Sequence, residues 1–196
     1  VISKLADEVN LGDRGSSSVN PPYAVTLLNG LTSAAGPNTT IVFDDGSDPK
    51  RMTKCAESAD VVIAIVGYTW ENEGEFIPGN EALEGLDPDK QLPSRGGDRD
   101  SLTLLSSDEA MIAKLSDTND RLLVGVMSGS AVIMESWRDK PAAIMMTWYP
   151  GMEGGNAFAS VIFGEINPEG RLPFSIPADA DHLPFFDAEA DEIKYG

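Results

Sequence analysis

The chain has 196 residues, 41% of them hydrophobic and 23% charged, with a net charge of −18 and a pI near 4.2. That length suits one domain with a well-buried core, and the acidity argues against nucleic acid and anionic membrane partners, since no basic patch exists to meet them. No apolar run approaches the roughly 20 residues that span a bilayer, and a single cysteine (Cys55) and a single histidine (His182) argue against a disulfide framework, a zinc cluster and a Ser-His-Asp triad.

Val1 to Leu5 reads as a first strand. It carries neither the basic nor the apolar region of a signal peptide, so the N-terminus reads as a cut, and a cytoplasmic and a secreted location are equally open. The Gly/Ser-rich stretch from Asn10 to Ser18 is a loop. Pro21-Pro22 starts a helix whose apolar positions run from Ala24 to Ala35, ended by Gly36-Pro37. Thr39 to Phe43 is a β-branched strand stopped by Asp44-Asp45-Gly46, and Asp48 to Ser58 is a short helix packing through Met52, Cys55 and Ala56.

Val61 to Val66 is continuously apolar and closed by Gly67, which predicts a strand buried on both faces. At its carboxyl end come Tyr68, Trp70, Glu71, Asn72, Glu73, Gly74 and Glu75, followed by a long Gly-, Pro- and charge-rich loop up to Gly97-Asp98-Arg99-Asp100. Ser106 and Glu109 have capping-box spacing and open a helix to about Leu115. Leu122 to Val126 is a strand turned by Ser128-Gly129-Ser130, and Ala142 to Met146 is another, ending at Trp148-Tyr149-Pro150-Gly151. A helix from Gly154 to Phe163 follows. Arg171 to Ile176 is a last strand, and its proline suggests a sheet edge. Strands alternating with helices of about ten residues predict a three-layer α/β/α sandwich, mostly parallel, with an antiparallel edge strand. The domain runs over 1–177, and 178–196 reads as an acidic, proline-containing linker or tail.

No G-x-G-x-x-G or G-x-x-x-x-G-K motif follows a strand, so a nucleotide site lacks its usual phosphate cradle. Ser128-Gly129-Ser130 is a turn and not a nucleophile elbow. The cluster Glu71-Asn72-Glu73-Gly74-Glu75 is the chemical feature: carboxylates close together beside aromatics are how a general acid for neutral pH is made. Tyr68 and Trp70 suit stacking on a sugar ring. The bland alternative is a solvated acidic loop in an acidic protein.

Three blocks carry a family resemblance. They are Val61 to Gly67 with Glu71-Asn72-Glu73-Gly74 and Gly97 to Leu104; Ala143 to Ala157, containing Trp148-Tyr149-Pro150-Gly151-Met152-Glu153-Gly154-Gly155-Asn156; and Asn167 to Pro177, containing Asn167-Pro168-Glu169-Gly170-Arg171-Leu172-Pro173. Together they resemble the second domain of family 3 glycoside hydrolases, a family of β-glucosidases, β-xylosidases and exo-glucanases. The resemblance spans nearly the whole chain. It implies the second domain of a retaining β-glycosidase, a β-glucosidase in expectation, working on a β-linked oligosaccharide or glucoside without cofactor or metal. An N-terminal (β/α)8-type barrel is the implied partner and supplies the nucleophilic Asp, so the chain alone is expected to be inactive. A second copy of the chain is an open alternative partner.

The family motif E-G-x-D-R maps the acid/base onto Glu73. Plant exo-glucanase relatives map it onto Glu71, and Glu75 receives little weight. Here the motif is interrupted by an insertion over 75–97 before Asp98-Arg99, a length that itself suggests function. Asp98 and Arg99 are candidates for sugar hydroxyl contacts or for an internal ion pair. Asp13 and Arg14 fall where relatives line the outer, leaving-group subsite. Trp148 and Tyr149 read as packing residues. The rival reading is a carbohydrate-binding or structural module of the same fold.

Overall fold

The structure, a computed structural model, describes residues 1–12, 15, 17–74, 99, 101–184 and 190–192. Its centre is a parallel sheet in the order β1-β2-β3, formed by β1 (Val62–Gly67), β2 (Leu122–Met127) and β3 (Ala143–Met146). Val62 stands opposite Leu122, and Leu123 opposite Ala143. Every residue of β1 is buried, as a strand covered on both faces requires.

Alternation along β1 builds two cores. Val62, Ala64 and Val66 share one with Met52 and Ala56 of α2 (Pro49–Glu57) and with Ile112 and Leu115 of α4 (Ser106–Ser116). Ile63 and Ile65 share the other with Leu27 and Leu31 of α1 (Leu27–Ala34) and with Phe158 and Ala159 of α5 (Gly154–Ile162). The fold is therefore the expected α/β/α sandwich. Each of the buried Val, Leu, Ile, Met and Phe side chains among them contributes about 1.5–3 kcal/mol.

The boundaries differ from expectation where tertiary pairing overrides local pattern. The strand expected over Val1–Leu5 reduces to Ile2, which bridges Ala64 on one side and Asp44 on the other, both in parallel. Ser3 at φ 99° then turns the chain into a 3-10 turn, Lys4–Ala6. The strand expected over 39–43 likewise reduces to that one bridge at Asp44, leaving Val42 and Phe43 exposed. Helix α1 starts at Leu27 behind the cap Thr26 and not at Pro21-Pro22. The stretch before it is held extended because Val25 N–H donates to Met152 O (2.9 Å) and Val25 O accepts from Gly155 N–H (3.1 Å).

The antiparallel edge strand expected over 171–176 does not form, and all described strand pairings are parallel. Pro173 has no N–H for a ladder; the stretch instead sends Phe174 edge-on against Trp148, with ring centroids 5.8 Å apart. The Ser106/Glu109 capping box is also absent. Leu105 is the N-cap of α4 without a side-chain bond, and Asp108 reaches across to accept from Gly67 N–H at 3.0 Å.

Helix α2 begins as its sequence predicts, with Pro49 in the first turn and the Asp48 carboxylate accepting from Lys50 N–H (2.9 Å) and Arg51 N–H (3.4 Å). Asp48→Ala is expected to cost about 1 kcal/mol of stability, read as a shift of the urea midpoint at unchanged slope.

Candidate active site

The carboxyl ends of the three strands meet at one pole of the sheet, the place where open α/β sheets build ligand sites. Strand β1 ends at Gly67 with φ 129°, where a Cβ would lie 1.9 Å from Met127 O. Tyr68 continues the strand direction, its N–H bonded to Met127 O at 2.8 Å. Thr69 and Asn72 then close a reciprocal capping box around α3 (Trp70–Glu73), a single helical turn that ends by presenting Glu73.

The Glu73 carboxylate receives three hydrogen bonds and one buried ion pair. Oε1 accepts from Ser128 Oγ at 3.1 Å and lies 3.1 Å from Arg99 Nε in the ion pair. Oε2 accepts from Gly129 N–H at 2.8 Å and from the Tyr149 hydroxyl. Ser128 and Gly129 follow β2, Tyr149 follows β3, and Glu73 itself follows β1, so the carboxylate ties all three strand ends together. Its side chain is 11% exposed and that of Arg99 is 8% exposed. Charge-assisted bonds in such a setting are stronger than neutral ones.

Arg99 completes the cluster. Its Nη2 donates to Ala131 O (2.9 Å) and to Ser130 Oγ, its guanidinium carbon lies 4.5 Å above the Tyr68 ring, and Nη1 is buried without a hydrogen-bond acceptor among the described residues. Of the two alternatives the sequence raised for Arg99, the structure displays an internal ion pair, with Glu73 as the partner. Glu73 and Arg99, far apart in sequence, are thereby held together at the pole.

Tyr149 reaches Glu73 from a half-buried position. Trp148 before it adopts φ 55°, a left-handed conformation uncommon for a large side chain, and so turns Tyr149 back toward β1. The Tyr149 ring rests on Gly12 and Gly129, where an added Cβ would come to 3.0 and 3.1 Å of it. Burial, then the hydrogen bond and charge of Glu73, push the phenol far above its ordinary range, with Arg99 opposing. It stays a donor at any working pH. Burial also raises the Tyr68 phenol and the Asp108 carboxyl; Arg99 and the Gly67 amide respectively pull the other way.

The remaining expectations divide. Tyr68 is 2% exposed, gives its hydroxyl to Thr103 O and has a ring face covered by Arg99; sugar stacking by Tyr68 is corrected to a core role. Trp70 is half-buried at the start of α3. Glu71 is exposed, and its backbone N–H is bonded to Thr69 Oγ1 at 3.2 Å. Asp98, Asp13, Arg14, Glu75 and the 75–97 insertion lie outside the described residues. Sequence reasoning missed Ser128, Gly129 and Tyr149. Their signal was position, since each stands just past the carboxyl end of a strand of the sheet. Among the described residues no group of three or more His, Cys, Asp or Glu side chains could hold a metal ion, and no helix is long and apolar enough to cross a membrane.

The family described as "Glycosyl hydrolase family 3 C-terminal domain" matches residues 1–195. A β-glucosidase of Schizophyllum commune is 32% identical over 83% of this chain and 79% of its own length, and a β-xylosidase of Formosa agariphila is 29% identical over 87% of this chain but 22% of its own. The crystal structure of a β-D-glucoside glucohydrolase from Trichoderma reesei superposes with a TM-score of 0.72 at 22% identity, covering 93% of this chain and 24% of that one. The chain thus spans under a quarter of the length of the latter two relatives. With its fold and its sequence in agreement over nearly every residue, the chain belongs to the C-terminal domain family of the family 3 glycosyl hydrolases.

Proposed function

We propose that this chain is the acid/base-bearing domain of a retaining β-glycosidase that releases terminal β-D-glucosyl residues, completed by an N-terminal barrel that supplies the nucleophilic Asp. In this reading 1–177 is the sandwich and 178–196 leads out of it. One observation carries the reading: Glu73 is the carboxylate held in place where the ends of β1, β2 and β3 converge. Glu71 is exposed, and nothing in its described bonds fixes its carboxylate, which makes it the second candidate. Positioning to within a fraction of an ångström is what catalysis asks of such a group.

The chemistry is a double displacement. Glu73 gives its proton to the glycosidic oxygen as the bond from C1 to that oxygen breaks and the barrel carboxylate bonds to C1. Water then attacks C1, Glu73 takes a proton from it, and the barrel carboxylate leaves. The two carboxyl groups must approach to about 5–5.5 Å for this outcome. No cofactor enters either step. Sugar contacts fall to Trp70 and, in the motif-based assignment, to Asp98, Asp13 and Arg14, while Arg99 is engaged by Glu73.

A second reading has a specific observation behind it: a carboxylate held by three hydrogen bonds and a buried ion pair also suits a structural clamp in a non-catalytic, sugar-binding module. Hydrolysis of p-nitrophenyl β-glucoside by the chain alone, and after addition of the separately expressed barrel, tests the shared site. The expected result is activity on mixing only. Saturable activity of the chain alone, or none from a demonstrated complex, would contradict it.

A further inference from the structure

We infer that Tyr149 is a positioning residue for the proton of Glu73, its hydroxyl occupying the place on Oε2 that must be vacated whenever that oxygen carries a proton. The inference rests on Glu73 being the acid/base, and adds to that reading a residue and a role.

Each oxygen of an ionised carboxylate offers about two acceptor sites, and on Oε2 both are used, by Gly129 N–H and by the Tyr149 hydroxyl. The acid half of the reaction needs a proton on this group. A protonated oxygen loses one of its two in-plane acceptor sites, so one donor must yield. Guanidinium and amide N–H groups cannot turn into acceptors, whereas hydroxyls can.

The two hydroxyls are not equivalent. Ser128 serves Oε1, is 0% exposed, and has a second acceptor in Ser130 O at 3.0 Å. Tyr149 is the half-buried one. Its ring is seated on Gly12 and Gly129 and its backbone is aimed by the left-handed Trp148. A leaving-group oxygen approaching Oε2 from the open side meets the phenol first. The Tyr149 hydroxyl therefore donates to Oε2 in the glycosyl-enzyme, where Glu73 acts as base, and yields when that oxygen carries the proton of the acid step. The titratable and charged groups facing Glu73 among the described residues are Arg99 from the segment before α4, Tyr68 from the end of β1 and Tyr149 from the end of β3.

The test is the pH profile of kcat/KM for p-nitrophenyl β-glucoside in the full-length enzyme, comparing wild type, Tyr149→Phe and 3-fluorotyrosine at 149. Phenylalanine keeps the ring on its two glycines and removes only the donor, so folding is retained, checked by an unchanged near-ultraviolet circular dichroism spectrum. Losing a donor to the ionised form disfavours that form, so Tyr149→Phe moves the alkaline limb to higher pH by about half a unit or more. Fluorotyrosine, a more acidic phenol and stronger donor, moves it to lower pH and serves as the readout should Tyr149→Phe misfold. Profiles that superpose on wild type overturn the inference. A parallel Glu73→Ala arm separates the two claims: loss of activity rescued by azide with an unmoved Tyr149→Phe profile discards only the role of Tyr149, while wild-type activity in Glu73→Ala discards the reading and the inference together.

Discussion

Glu73→Ala in the full-length enzyme is expected to lower turnover of an alkyl β-glucoside about a hundredfold to ten-thousandfold, the usual contribution of a positioned general acid. The loss is expected to be much smaller in the glycosylation of dinitrophenyl β-glucoside, because that leaving group departs without a proton. Hydrolysis of the glycosyl-enzyme then becomes the slow step, and azide, which needs no general base, restores it. Removing the carboxylate also leaves Arg99 buried without its counter-charge, a loss of about 3–5 kcal/mol by analogy with broken buried pairs. Glu73→Gln is the companion variant: it preserves volume and an acceptor for Arg99 Nε, and it should keep more of the fold while losing the same chemistry. Glu71→Ala should change kcat/KM less than about threefold, in line with an exposed side chain whose described interaction is a charge contact with the exposed Lys4. Equal losses for Glu71→Ala and Glu73→Ala would remove the structural basis for preferring Glu73.

The largest stability effects are expected at three glycines where backbone meets backbone. At Gly67 the φ of 129° is closed to other residues, and a Cβ would lie 1.9 Å from Met127 O. At Gly155 a Cβ would lie 2.1 Å from Thr26 O, and at Gly30 2.0 Å from Gly155 O, because α1 and α5 cross at their main chains. None of the three partners is a side-chain tip that can swing away. Gly67→Ala, Gly155→Ala and Gly30→Ala should each cost more than about 3 kcal/mol, which for a chain of this size lowers Tm by about 6–12 °C or more. Gly170→Ala is the control, since nothing lies within 4 Å of its added Cβ; it should move Tm by no more than about a degree. A Gly155→Ala melting curve overlying the wild type would mean that the α1–α5 approach is looser than described.

Elements defined by their own hydrophobic pattern were legible from sequence. The run Val61 to Val66, the run Leu122 to Val126 and the helix from Gly154 to Phe163 all formed within a residue or two of expectation. What was not legible depended on partners far away in the chain. Val25 is extended because it pairs with the 152–155 stretch, so the helix expected from Pro21 begins at Leu27. Ser106 and Glu109 have capping-box spacing, yet the helix start is set by Leu105, and Asp108 is spent on the Gly67 amide. Glu73 was visible as a carboxylate at a strand end, and Arg99 as part of a split motif. The role of Tyr149 was not visible, because its hydroxyl meets a residue 76 positions earlier through a left-handed turn at Trp148 that no local propensity announces.

The most direct measurement of the central claim is the anomeric configuration of the azide product formed by Glu73→Ala from dinitrophenyl β-glucoside, read by proton NMR. If Glu73 is the acid/base, the barrel carboxylate still forms its covalent intermediate, and azide attacks that intermediate from the face the leaving group vacated. Two inversions give net retention, and the product is β-glucosyl azide. A product of α-glucosyl azide would place Glu73 on the nucleophile side, and turnover unaffected by azide, with no azide adduct, would mean that Glu73 holds the strand ends together without taking part in the chemistry.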